Sequence, residues 1–399
     1  MLTFSYKARD KKTGKTINST IQAESESAAA KILMAQNIVP TEINVMGKTE
    51  GSFGGRITTK DRVIFTRQLA TMLNAGLPLT QSLSTVAEQT ANRNMKQVIM
   101  GIVSSISAGA TLGDSFAKYP KVFNTVYIAL VRAGEASGTL DRSLQRLADQ
   151  QEHDADMMSK IRGAMVYPAI VLAVIIAVIV FMMVMLVPQV KSLYSDMGKE
   201  LPMQTLILVG IVDFCAEWWF IIIPVFVGMI VLLRMWIKTD SGRKVWDTFK
   251  LNMPIFSPLF RKMYMARFSR TSETLLSSGV PLLEELKIAA DSVGNVVVRE
   301  EILQASGKVK NGKPLSEGLS DKEYILPFVP QMVKIGEQSG GIDAMFGKVA
   351  DYYEKEVDNT IKSIQTMIEP ILMVVMAFMI GFIVLAILLP IYGLADTTV

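Results

Sequence analysis

The chain has 399 residues, half of them hydrophobic, and its positive mean hydropathy is too high for an ordinary soluble protein. Its 41 basic and 37 acidic residues leave a net charge of only +4, spread along the sequence, so no concentrated basic patch points to DNA or RNA. The single cysteine, Cys215, excludes an intrachain disulfide and a thiolate metal cluster.

The first residues, Met1 to Lys15, lack the charged-then-apolar layout of a cleaved signal peptide, so the N-terminus is expected on the cytoplasmic side. Alternation at Leu2, Phe4 and Tyr6, then at Ile17 and Ile21, predicts a hairpin around Lys12 to Lys15. Glu26 to Gln36 reads as a helix and Pro40 to Val45 as a closing strand, giving a small α/β module over residues 1–46. The glycine-rich stretch over 47–57 reads as a linker.

From there the chain repeats itself. FTRQLATMLNAGLPL from Phe65 returns as FSRTSETLLSSGVPL from Phe268, sharing Phe, Arg, Thr, Leu, Gly, Pro and Leu at equivalent places. GEASGTLDRSLQRLAD from Gly134 returns as GEQSGGIDAMFGKVAD from Gly336, with the register moved by one residue. The period is far longer than a solenoid unit, so whole domains are duplicated. Apolar spacing in the first copy predicts helices over Asp61–Leu73, Leu79–Glu88, Met95–Ser107, Asn124–Ala133 and Thr139–Met158. An antiparallel bundle of about six helices, built twice over residues 58–166 and 237–368, follows.

Pro168 to Pro188 and Pro370 to Pro390 carry no charge, and each gives ~30 Å of helix, the thickness of a hydrocarbon core. The transmembrane helices are set at 167–188 and 369–390, with a third at 214–236. An external loop and interfacial helix over 189–213 and an external tail over 391–399 complete the layout. Arg234, Lys238, Arg243 and Lys244 after the second span, and Lys160 and Arg162 before the first, put both bundles in the cytoplasm. Asp213 and Glu217, four apart on one helical face, read either as charges at the outer interface or as an ion site of a small polytopic transporter or channel.

The Gly-Glu-x-Ser-Gly segments, Gly134–Gly138 and Gly336–Gly340, fall where one helix stops and the next starts. Their glycines permit positive φ or close backbone approach, and Ser137 or Ser339 can cap the next helix. Glu135 and Glu337 are read as anchoring a partner or a helix N-terminus. Glu369 precedes Pro370 where the first copy has Tyr167 before Pro168, an asymmetry that hints at specialisation. No P-loop occurs, and the sole histidine, His153, sits in the charge run Glu152 to Asp156, read as a solvated helix face. No enzyme, cofactor or metal is expected.

The FSYKARD start, the paired AGLPL and SGVPL turns, the two Gly-Glu-x-Ser-Gly corners, the Tyr-Pro and Glu-Pro span starts, and Glu200-Leu201-Pro202 together resemble the type II secretion F protein family, also called the PilC family. The resemblance covers essentially the whole chain; Asn18-Ser19 stands where the family often has a glycine. It implies a mainly α integral membrane protein with two homologous helical-bundle cytoplasmic domains, three transmembrane helices and a small N-terminal α/β module. It further implies a non-enzymatic, oligomeric assembly platform in the bacterial inner membrane. Its partners would be a hexameric cytoplasmic secretion ATPase, pilin or pseudopilin subunits, other inner-membrane assembly proteins and membrane lipid.

Overall fold

The computed structural model describes residues 2–10, 16–23, 32–33, 38–45, 56–196 and 203–395. These fall into two compact units, one holding the N-terminal strands and one holding the helices that follow.

In the first unit β1 (Leu2–Asp10), β2 (Thr16–Ala23) and β3 (Ile38–Val45) form an antiparallel sheet of order β2-β1-β3. The β1–β2 register runs from Leu2 opposite Ala23 to Arg9 opposite Thr16, as expected for a hairpin. The β1–β3 pairing shifts between Lys7 and Ala8. The predicted turn at Lys12–Lys15, most of the helix at Glu26–Gln36 and most of the linker lie outside the described residues.

The second unit opens with α1 (Thr59–Asn74), α2 (Leu79–Gln89), α3 (Arg93–Ser107), α4 (Leu112–Ala117), α5 (Thr125–Ser137) and α6 (Leu140–Asp196). Next come α7 (Met203–Ile237) and α8 (Asp240–Asn252). The second copy follows as α9 (Ser257–Ser277), α10 (Leu282–Ser292), α11 (Val296–Lys310), α12 (Leu315–Ser320), α13 (Phe328–Ser339) and α14 (Ile342–Ala395). The helix starts follow local chemistry. Thr58 accepts from the Asp61 amide at 3.2 Å while Asp61 accepts from the Thr58 amide at 2.8 Å, a reciprocal capping box. Asn124 and Asn295 cap α5 and α11 in the same role.

The first bundle's core is aromatic: Phe65, Phe116, Phe123 and Tyr127 are buried with ring centroids 4.5–6.2 Å apart. The second keeps one such pair, Phe268 and Phe346, edge to face at 5.5 Å. The cores are interlocked, which a reading of two separate domains did not anticipate. Leu275 and Val280 of the second copy belong to the first copy's core, while Met157 and Ala164 of α6 belong to the second's. Each fully buried apolar side chain is worth about 1.5–3 kcal/mol, so these exchanges tie the bundles together.

Two expectations about element ends are corrected. The helix expected to stop at Met158 runs unbroken for 57 residues to Asp196, with Pro168 and Pro188 inside it, and α14 likewise runs for 54 residues. Proline removes one backbone hydrogen bond, but the remaining ladder carries the helix on, as lipid demands of backbone groups that water cannot reach. Helix α7 begins at Met203, so the interfacial helix expected within 189–213 and the span expected at 214–236 are one continuous helix, because Leu206 to Val212 is apolar enough to join them; its most apolar stretch is Glu217–Ile237. Three helices are long and apolar enough to cross a membrane. Ile170, Val174 and Phe181 of α6, Phe220, Val225 and Leu232 of α7, and Val374, Phe378 and Ile380 of α14 are all more than half exposed. A buried core helix would cover these side chains; lipid-facing helices leave them bare.

Candidate functional site: twin corners and the start of the spans

At the first corner the two glycines do different work. A Cβ on Gly134 would sit 2.6 Å from Ser143 Oγ and 3.1 Å from the Leu140 Cα, so its missing side chain lets α5 and α6 meet. Gly138 has open space around it but stands at φ 70°, where an L side chain is strained. The Thr139 amide then donates to the Gly134 carbonyl at 2.9 Å, the six-residue closure of a left-handed helix end. The second corner repeats this: a Cβ on Gly336 would lie 2.8 Å from the Ile342 Cα, Gly340 has φ 76°, and the Gly341 amide donates to Gly336 at 3.0 Å.

The carboxylates between the glycines cap a helix. Glu135 accepts from the Leu112 and Gly113 amides at 2.8 and 3.1 Å, which are the orphan donors opening α4. Glu337 accepts from the Leu315 amide at 2.5 Å and from Ser316 Oγ at 2.5 Å at the start of α12. The helix N-terminus half of the sequence expectation is therefore what the geometry holds. The serine expectation is corrected: Ser137 and Ser339 donate back to Ala133 and Ile335 of their own helices at 2.7 and 2.9 Å, since their Oγ atoms face the preceding turn.

Sequence reasoning noted Arg67 and Arg270 as identical without giving them a role. Arg67 forks onto Glu152 at 2.5 and 2.6 Å and onto Asp149 at 2.6 Å. Arg270 does the same with Glu354 at 2.9 and 3.0 Å and Asp351 at 2.6 Å. The Arg67 guanidinium holds the Glu152 carboxyl below its usual range. The visible clue was that Asp149 and Asp351 close the second repeated segment.

The charge run around His153 is not merely solvated. His153 Nδ1 lies 3.6 Å from Glu354, and Lys160 meets Asp358 at 2.7 Å, so α6 and α14 run side by side in parallel. Beside the first corner, a cleft of about 700 Å³ is lined by Arg132, Ala136, Ser278, Val280, Glu284 and Ile288.

The corners and the span starts are not one site. Gly138 and Pro168 are about 45 Å apart along the helix. Tyr167, Glu369 and Pro370 are exposed and Pro168 is half-buried. Asp213 pairs with Lys191 at 2.7 Å, both more than half exposed. Among the described residues no cluster of histidine, cysteine or carboxylate side chains forms a metal site.

Two six-helix bundles running without a break into exposed apolar helices define a multi-pass membrane protein built by duplication. The family described as type II secretion system protein F matches residues 65–188 and again 268–390, and its N-terminal domain matches residues 1–44. The chain belongs to this family. The matched unit begins at Phe65 and Phe268 and ends on Pro188 and Pro390, so the spans are part of what was duplicated. It is 38% identical to the type IV pilus assembly protein PilC of Thermus thermophilus, over all of this chain and 99% of that one. It is 36% identical to the protein of the same name from Myxococcus xanthus, covering 96% and 93% of the two chains. The type II secretion system protein F of Vibrio cholerae is 31% identical, with 98% of each chain covered.

Proposed function

We propose that this chain is the inner-membrane assembly platform of a type IV pilus or type II secretion machine. It is non-enzymatic, with its N-terminus and both bundles in the cytoplasm, residues 1–46 forming a small α/β module and 391–399 outside. The bundles receive a hexameric secretion ATPase, and the spans starting at Pro168 and Pro370 guide pilin or pseudopilin subunits laterally. The platform works as a homo-oligomer among other inner-membrane assembly proteins. The observation that carries this reading is the continuity of α6 and α14, which joins each corner, Gly134–Gly138 and Gly336–Gly340, to a lipid-facing span. Glu369 marks the third span as the one that differs. The transport reading gains no support, because the Asp213 charge is already met by Lys191 at an exposed position.

The test is purification of the full chain from its native cells with identification of what accompanies it. A P-loop secretion ATPase and single-span pilin-like proteins are expected. Their reproducible absence from intact protein, with ion flux in reconstituted vesicles lost on neutralising Asp213 and Glu217, would overturn the platform role.

A further inference from the structure

Among the described residues, helix α8 has no counterpart ahead of the first bundle, and it starts three residues after α7 ends. The turn is tight: the Lys238 and Thr239 amides donate to Met235 and Trp236 at 3.2 and 3.0 Å, and Thr239 then caps α8 through the Gly242 amide at 3.2 Å. One face is anchored to the second bundle. Asp247 is buried and accepts from the Val296 amide at 3.0 Å, the Asn295 side chain donates to the Asp247 carbonyl at 3.2 Å, and Leu251 is fully buried.

The other face is apolar and, beyond the buried Gly242, bare. Gly242, Val245, Trp246 and Phe249 follow the i, i+3, i+4, i+7 spacing of a single stripe. Gly242, the first member, lies against the last turn of α7, where a Cβ would meet the Trp236 carbonyl at 2.0 Å. The stripe therefore faces the side from which the span arrives. Its other members are 56%, 40% and 50% exposed, with Trp246 and Phe249 stacked at 5.7 Å.

The loop after α8 presents a further apolar side chain to the exterior. Ile255 is 41% exposed and stands at φ 72°, a conformation that costs a β-branched residue strain. The ion-pair ladder between α9 and α14 fixes its level. Arg270 meets Asp351 and Glu354, and Lys262 meets Glu356 and Thr360, so the start of α9 lies about one to two helical turns short of Pro370. Exposed cations Arg234, Lys238 and Arg243 surround the junction between the span and α8, while Lys244 on the bundle side pairs with Glu300 at 2.8 Å; this is the composition of a helix lying in an anionic lipid interface.

We infer that α8 and the Ile255 loop dock on the cytoplasmic lipid surface, with Val245, Trp246, Phe249 and Ile255 inserted at the headgroup boundary. This rests on α7 being a membrane span. The bilayer is the occupant because the stripe continues the span's own lipid-facing surface through a two-residue turn, and its charge is complementary to anionic headgroups.

The test uses the full chain in nanodiscs of phosphatidylethanolamine and phosphatidylglycerol, with Trp218, Trp219 and Trp236 changed to Phe so that Trp246 alone reports. Lipids brominated near the headgroup end of the acyl chain are expected to quench it at least twofold more than lipids brominated near the bilayer centre, with little quenching by aqueous iodide. Quenching by iodide alone, or by neither agent, would overturn the proposal, the second because a protein then covers the stripe. A second variant guards against misfolding: Phe249→Cys in a Cys215→Ser background, carrying a spin label. Its oxygen accessibility should exceed that of the same label at Lys310 severalfold, and equal values would overturn the docking. A lipid-exposed label at Val225 reports separately on α7, so failure of the span is distinguishable from failure of the α8 contact.

Discussion

Glu285 on α10 is fully buried, and neither of its carboxyl oxygens has a partner among the described residues. Burial pushes its pKa from the ordinary 4.5 up to about 8; the Ser272 hydroxyl opposes the shift, but forms no hydrogen bond of normal geometry with it. Between those values the unfolded chain has released the proton and the folded one keeps it. Stability therefore falls by about 1.4 kcal/mol per pH unit across that window and levels off above it. At pH 7.5 the deficit is on the order of 4 kcal/mol relative to pH 4.5. Glu285→Gln removes the titration but buries an amide without partners, at a cost of about 1–3 kcal/mol. We predict that the variant is more stable than the parent at pH 8 by on the order of 1–3 kcal/mol, and no more stable, or less, at pH 5. Thermal midpoints of the detergent-purified protein from pH 5 to 8.5, followed by intrinsic tryptophan fluorescence, would show the two curves crossing. Parallel curves would refute the reasoning, since a Glu285 that reaches water or a hidden cation has no such slope.

Other outcomes follow from the corners and the forks. Gly138→Ala meets only the left-handed strain, and should cost about 1–2 kcal/mol in thermal stability. Gly134→Ala should cost more, because Ser143 and the Leu140 backbone both block it; Ser143→Gly in the same chain should restore only part of the loss. Glu135→Gln should free the start of α4, read as faster hydrogen exchange at the Leu112 and Gly113 amides, with about 1 kcal/mol lost globally. Because Arg67 lowers the folded-state pKa of Glu152, that pair stabilises above the unfolded carboxyl value and fades as pH falls through the folded one. The acid limb of the stability curve should therefore flatten in Glu152→Gln, and a limb unchanged below about pH 4 would assign the loss to other carboxylates.

The duplication, the three apolar helices and the helix-ending glycines were legible because each is written locally, in identities, charge-free runs and residue type. The short helices α4 and α12 were not. Six residues are too few for a period to show, and the carboxylates that cap them arrive 23 and 22 residues later in the chain. Pro168 read as a boundary although the helix passes through it, because composition changes there while the backbone does not. The forks of Arg67 and Arg270 join residues more than 80 positions apart, so their identity was visible and their partners were not. Nor could the sequence show Val280 seated in the other copy's core, since a turn valine looks the same wherever it is buried.

The unbroken path of α6 and α14 from corner to bilayer sets how a displacement would travel. About 28 residues separate the start of each helix from its span, a strut of ~42 Å. A tilt of ~10° at the corner would carry the membrane end sideways by ~7 Å over that length, more than one helical rise per turn. The struts touch side by side at His153–Glu354 and Lys160–Asp358. With no break in either helix between corner and span, the pair would carry such a tilt as a lever does.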